Sequence, residues 1–203
     1  MAGKLLILSA PSGAGKTSLA RALIEKSGNT RMSISHTTRN CRVGEQHGVD
    51  YYFVDKEEFL SMVKEGKFLE HAKVYEEFYG TSRDSVMQML NQGNNVLLDV
   101  DWQGARQVKD LMSEAISVSI LPPSREELER RLHDRARDPV EVIEKRMQKA
   151  RSEMSHCHEA DVIILNDDFE AALNDLLLVL QNKADKVRKI SELNVDLDEL
   201  LNA

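Results

Sequence analysis

A lysine and a threonine follow two glycines near the start of the chain, in Ser9-Ala10-Pro11-Ser12-Gly13-Ala14-Gly15-Lys16-Thr17-Ser18. Residues of these types at this spacing can wrap an anion. Gly13 and Gly15 carry no side chain that would stop backbone amides from turning inward around phosphate oxygens. Lys16 adds a full positive charge for the outer phosphates, and Thr17 adds a hydroxyl for a divalent cation. Ala10 stands where the general pattern has its first glycine, and the other elements are intact. A glycine-rich turn without a ligand accounts for neither Lys16 nor Thr17, so the stretch reads as a nucleoside triphosphate site.

Three further groups of residues carry possible chemistry. Val96-Leu97-Leu98-Asp99-Val100-Asp101 is an apolar run ending in two carboxylates. Ligands of open α/β sheets bind at that end of a strand. Alternation would put Asp99 and Asp101 on one side. Asp99 is then the expected partner of Mg2+, directly or through water. Asp101 has a competing role as the cap of a helix that begins near Gln103. In Ser35-His36-Thr37-Thr38-Arg39-Asn40-Cys41-Arg42, two arginines three residues apart can fork onto one phosphate. Tyr51, Glu70 and Tyr79 are individually ordinary surface residues; beside a phosphate loop they outline a second nucleotide-sized pocket. Last, Arg131, Arg135, Arg137, Arg146 and Arg151 surround a loop in a segment, 125–151, with nine Lys/Arg against seven Asp/Glu. Most of these charges are expected to pair at i, i+4 spacing, while arginines near the tip can neutralise charge that develops in phosphoryl transfer.

The elements that must position these groups follow from patterning. Buried-strand candidates recur at Leu5–Ser9, Arg31–Ser35, Val96–Val100, Ile116–Leu121 and Val162–Leu165, with helical patterns between most of them. That predicts an α/β fold with a parallel sheet flanked by helices. Residues from about Thr37 to Ser85 break the rhythm and read as a small, partly antiparallel insertion. Its one helix starts at Asp55 with Glu58 three residues on and stops near Gly66. Ser124…Glu127 and Asp138-Pro139…Glu141 look like capped starts of a helical hairpin, and Asp168 starts a last amphipathic helix with Phe169, Ala172, Leu176 and Leu180 on one side. From Lys183 onward the pattern is weak, and a marginal surface helix or frayed tail is expected.

Composition narrows the classes. A 203-residue chain with 41% hydrophobic and 30% charged residues suits one domain with insertions. The net charge of −7 argues against a nucleic-acid-coating role, and no apolar run is long enough for a membrane span. Cys41 and Cys157 make no disulfide framework, which fits a cytoplasmic setting. His156-Cys157-His158 has no second ligand cluster and reads as a helical surface group rather than a metal site.

Together the residues resemble the guanylate kinase family, from the N-terminus to about Leu180. The resemblance rests on the phosphate loop, Ser35-His36-Thr37-Thr38-Arg39, Gly44-Glu45, Asp50-Tyr51, Tyr79-Gly80-Thr81, Asp99-Val100-Asp101-Trp102-Gln103-Gly104 and Asn166-Asp167-Asp168, in the family's order. It implies a P-loop kinase core (1–34, 86–123 and 159–203), a GMP-binding insertion (about 35–85) and a helical lid (about 124–158). By the same resemblance Pro11, Ser12, Gly13, Ala14, Gly15, Lys16, Thr17, Ser18, Arg131 and Asn166 would bind ATP. Ser35, Arg39, Arg42, Tyr51 and Tyr79 would hold the GMP phosphate; Glu70, Thr81 and Asp101 would read guanine. Asp99 would lie at the GMP side and reach Mg2+ through water, with Thr17 as the other metal contact. Lys16, Arg39, Arg135 and Arg146 would be the catalytic residues, the choice among Arg131, Arg135 and Arg137 staying open.

Two positions depart from the family pattern. Cys41 stands where proline is common, and Asp134 and Ala136 flank Arg135 where glycines are frequent. The implied reaction is in-line transfer of the γ-phosphoryl group of ATP to GMP, with closure of both insertions to exclude water. Two other readings stand beside it. A protein-binding module on the same fold commonly loses phosphate contacts, whereas Lys16, Arg39, Arg42 and Asp99 are all present. The second is a kinase for another phosphorylated acceptor, such as ribose 1,5-bisphosphate or a different nucleotide, against which Glu70 with Thr81 argues. ATP and GMP are the expected partners, with no nucleic acid or membrane; the oligomeric state is left open.

Overall fold

The computed structural model describes residues 3–74, 76–135, 140–193, 195 and 200–201, with Arg135 and 140–142 described as backbone only. The first elements are β1 (Leu5–Ser9), α1 (Lys16–Ser27), β2 (Thr30–Met32), β3 (His36–Thr37), β4 (Tyr52–Phe53) and α2 (Lys56–Lys64). Next come β5 (Phe68–Val74), β6 (Glu77–Ser82), α3 (Arg83–Asn91), β7 (Asn95–Asp99), α4 (Trp102–Leu111) and β8 (Ile116–Leu121). The remainder is α5 (Arg125–Arg135), α6 (Val140–Ser155), a 3-10 turn at Cys157–Glu159, β9 (Val162–Leu165) and α7 (Phe169–Leu180), followed by two more short 3-10 turns.

Five strands form a parallel sheet in the order β2-β7-β1-β8-β9, the α/β arrangement expected from the apolar runs. A separate four-stranded sheet, β4-β3-β6-β5, lies within the insertion. The chain divides into two compact units: one of residues 1–7 and 29–115, the other of 8–28 and 116–203.

In the first unit, Leu5, Ile7, Val96, Leu98 and Val100 pack with Leu69, Val86, Leu90 and Val108. Each buried aliphatic side chain of this kind contributes about 1.5–3 kcal/mol relative to exposure, before entropy is counted. The four-stranded sheet, antiparallel except where β3 and β4 pair parallel, has an aromatic underside: Phe59 of α2 stacks on Phe68 of β5, ring centroids 4.7 Å apart, with Phe78 at 5.5 Å. Asp55 caps α2 by accepting from the Glu58 amide at 2.8 Å, and the chain turns out of the helix at Gly66 with φ 65°. The β5–β6 hairpin fills the part of the insertion that patterning left undefined, and α3, capped by Ser82, leads out of it.

In the second unit α1 packs on α7; Leu19, Ala20 and Leu23 are buried on α1, and Ala172, Leu173, Leu176 and Val179 are buried on α7. Ser124 caps α5 and Asp168 caps α7, each accepting from the amide three residues on. Asp138-Pro139, expected to start α6, lies outside the described residues. Phe169 is exposed rather than on the buried face of α7, because Ala172, Leu173 and Leu176 already cover that face.

The C-terminal stretch corrects an expectation. It is not a frayed tail over its described residues: Val187 and Leu200 are buried, and Leu193, Val195 and Leu201 pack against Leu128, Leu132, Ile143 and Met154. Their spacing follows no helical or strand period, so the pattern hid an apolar set that only packing assembles.

Candidate functional site

The second unit carries the phosphate loop. β1 ends at Ser9 and α1 begins at Lys16, so the loop is held by an element at each end. Gly13 and Gly15 have φ of 94° and 96°, values that a residue with a Cβ adopts only under strain. Gly15 is the N-cap of α1 without a side-chain cap, and no acidic residue lies in the helix's first turn. The positive end of the helix therefore meets neither a capping oxygen nor a carboxylate from its own first turn. Thr17 and Ser18 are exposed beside Lys16.

Asn166, just past β9, is 5% exposed and donates from Nδ2 to the Ala14 carbonyl at 2.7 Å. A Cβ on Gly15 would come 2.3 Å from the same Nδ2. The structure thus seats Asn166 directly against the loop, which its distance in sequence did not reveal. Arg131 donates from Nη2 to the Asn166 carbonyl at 3.2 Å and from Nε to Glu127 Oε1 at 2.7 Å. Arg130 and Arg131 together hold the Glu127 carboxyl at about 2, well below its ordinary value. Arg131 pairs with Glu127 at the i, i+4 spacing that the charge pattern predicts, and Arg130 pairs with it at i, i+3. Arg146 lies half-buried on α6. The side chain of Arg135, and all of Arg137, lie outside the described residues.

The first unit carries the other constellation. Arg39 forks onto Glu45, Nη1 to Oε2 at 3.0 Å and Nη2 to Oε1 at 2.8 Å, while the Arg42 amide donates to the same Oε2 at 2.8 Å. One carboxylate therefore ties the two expected phosphate-binding arginines together. Patterning assigned Glu45 no such role; its six-residue separation from Arg39 on a turn through Gly44 was the available signal. The Glu45 bond is the main cause holding Arg39 above its ordinary pKa, with Tyr79 a smaller contributor. The Arg39 guanidinium also lies 5.4 Å from the Tyr51 ring centroid, and Tyr51 meets Tyr79 edge-on at 6.1 Å. Burial pushes the Tyr51 hydroxyl pKa up, and the charge of Asp99 adds to it.

A few residues on, Ser35 Oγ lies 3.4 Å from Thr81 Oγ1, and Thr81 donates to Glu70 Oε1 at 2.5 Å. Glu70 is 6% exposed. Burial, reinforced by the charge of Asp101 and opposed by the Thr81 bond, raises its carboxyl to about 7. α4 starts against it: Gly104, where a Cβ would stand 3.2 Å from Glu70 Oε2, has its amide capped by Asp101 Oδ1 at 2.9 Å. The expectation that Asp99 and Asp101 share one strand face is corrected here. β7 stops at Asp99, Val100 is buried, and Asp101 leaves the strand to cap α4 at Trp102. Satisfying the Gly104 amide outweighs continuing the strand alternation.

The comparisons with known proteins agree with one another. The guanylate kinase family model matches residues 2–183. A guanylate kinase of Alkalilimnicola ehrlichii is 54% identical over 176 residues, covering 87% of each chain. One from Coxiella burnetii is 48% identical over 199 residues, covering 96% of this chain and 97% of its own. The crystal structure of guanylate kinase from Anaplasma phagocytophilum superposes with a TM-score of 0.71 at 37% identity, covering 93% of this chain and 88% of that one.

Proposed function

The chain belongs to the guanylate kinase family and phosphorylates GMP with ATP as donor, and we propose that its two units divide that work between them. ATP falls to the phosphate loop of the second unit, 11–18, with Asn166 and Arg131. GMP falls to Ser35, Arg39, Arg42, Tyr51 and Tyr79 for its phosphate and to Glu70, Thr81 and Asp101 for its base. The observation that carries this division is the buried Glu70 carboxylate. Guanine presents its N1–H and 2-amino group as neighbouring donors, and a carboxylate accepts both. Adenine would set a lone pair against the same oxygens and leave a buried acceptor unmatched, at a cost of about 1–3 kcal/mol. Thr81 gives its proton to Glu70, so reading the guanine O6 requires that hydroxyl to turn; Ser35 is the neighbouring hydroxyl that can share the task.

Mg2+ belongs to the proposal. Among the described residues no three His, Cys, Asp or Glu side chains gather as a metal cage. Thr17 of the second unit offers an exposed hydroxyl and Asp99 of the first an exposed carboxylate, each a hard oxygen donor of the kind that Mg2+ takes alongside phosphates and water. When bound, Mg2+ supplies charge neutralisation at the transferring phosphoryl group. Lys16 adds charge at the outer phosphates, and Arg39, with Arg135 and Arg146 from the lid hairpin, adds charge around the group in flight. No general base is needed, because the GMP phosphate is already ionised near neutral pH.

We place the core at 1–34, 86–123 and 159–203, the GMP-binding insertion at about 35–85 and the lid at about 124–158. Both cysteines are free, Cys41 exposed and Cys157 buried, and no described helix is long and apolar enough to cross a membrane. A cytoplasmic setting is part of the same reading. A coupled assay of ADP release from Mg·ATP, with GMP, AMP, CMP, UMP, dTMP and ribose 1,5-bisphosphate offered singly, tests the base-reading account. Strong preference for GMP is the expected result, and comparable turnover with AMP would defeat it.

A further inference from the structure

Arg188 lies beyond the residues that the family model matches, in the stretch whose pattern reads as a tail. Its guanidinium bonds to three parts of the second unit. Nε donates to Asp175 Oδ2 at 2.7 Å, Nη1 to both oxygens of Asp167 at 3.0 and 3.2 Å, and Nη2 to the Leu165 carbonyl at 3.0 Å. The Arg188 amide adds a longer bond to Asp175 Oδ1 at 3.4 Å. Asp175 lies in α7 with its side chain 2% exposed, a burial that a carboxylate tolerates only when paired. The planar fork sets three directions at once, which a flexible ammonium group does not.

These bonds converge on one short turn. Leu165 ends β9, Asn166 follows, Asp167 receives Arg188, and Asp168 caps α7. Arg188 therefore grips the residues on both sides of Asn166, whose side chain reaches the phosphate loop at Ala14. We propose that Arg188 is a positioning residue for ATP: it fixes the turn 165–168 so that Asn166 keeps its place against the loop. The proposal rests on the assignment of Asn166 to ATP. The turn lies in the second unit, so the effect is expected on ATP and not on GMP.

The test is steady-state kinetics and thermal melting of the full chain carrying Arg188→Lys, Asp167→Asn, Asn166→Ala, and Arg188→Lys with Asn166→Ala. Lysine keeps a charge beside Asp175 while losing the fork, and Asp167 is the more exposed partner, so both variants should fold. Arg188→Lys and Asp167→Asn should each raise the KM for ATP about three- to tenfold, with the KM for GMP changed less than about twofold. Added to Asn166→Ala, Arg188→Lys should raise the KM for ATP no further, since both act through one contact. An unchanged KM for ATP in Arg188→Lys and Asp167→Asn, where Asn166→Ala raises it, overturns the proposal and spares the Asn166 assignment. No effect of Asn166→Ala overturns both. A lower melting temperature with both KM values unchanged, or an equal rise in both, makes Arg188 an anchor only and also overturns it.

Discussion

Thr81 donates its hydroxyl proton to Glu70 across directly paired positions of β5 and β6, just past a register shift between Phe68 and Glu70. Both side chains are buried, Thr81 at 1% and Glu70 at 6% exposed. The hairpin thus delivers a carboxylate with one oxygen already bonded, away from bulk water. Such a group rewards a ligand that brings two donors and penalises one that brings a lone pair.

Replacing Glu70 by Gln keeps the shape and puts an amide where an acceptor is needed. The KM for GMP should rise about 5- to 100-fold while that for ATP stays within about twofold. Kinetics with each substrate varied in turn decides this; equal losses for both would remove the base-reading account.

The pH dependence of stability follows from the same carboxyl. Its folded value of about 7 lies above the ordinary 4.5, so between those values the folded protein holds more proton than the unfolded chain. The contribution is complete at low pH and is lost as pH rises through about 7. Compared with Glu70→Gln, the ligand-free protein should lose up to about 2 kcal/mol between about pH 5.5 and 8.5. Denaturant melts of the two proteins across that range would show parallel curves if Glu70 were not the cause.

On the proposed reading of guanine, GMP needs the ionised form of Glu70, so its KM should rise as the medium becomes more acidic. From about pH 8 to about pH 6 the rise should approach about tenfold beyond that of Glu70→Gln, which keeps only the titration of the GMP phosphate. Coincident pH profiles for the two proteins would count against ionised Glu70 as the guanine acceptor.

Lys16→Met should lower kcat by at least about 100-fold in a protein that melts near the parent temperature, because one charge at the transferring phosphoryl group is removed and little packing is lost. Near-normal turnover would deny Lys16 a catalytic role.

Gly15→Ala combines a strained φ of 96° with a Cβ placed 2.3 Å from Asn166 Nδ2. The variant should melt several degrees lower, by about 4 °C or more, and lose most of the stabilisation that Mg·ATP confers on the parent. Unchanged melting with and without Mg·ATP would show that the loop tolerates the Cβ.

What the sequence by itself determined is local chemistry. The phosphate loop, its glycines, the apolar runs that became β1, β8 and β9, and the caps at Asp55, Ser124 and Asp168 depend on neighbours a few residues away. Short-range geometry sets such features, so they survive in the order of residues alone.

Tertiary structure decided which of the marked residues meet, and how they ionise. Asp101 became a cap because β7 stopped two residues earlier, and Glu70 acquired a pKa of about 7 because α4 and β6 removed it from water. Glu45 took the Arg39 guanidinium and the Arg42 amide, and Arg188 joined Leu165, Asp167 and Asp175 across 13 to 23 residues of chain. Burial and long-range pairing belong to the packed chain as a whole, and no window of sequence contains the desolvation that produces them.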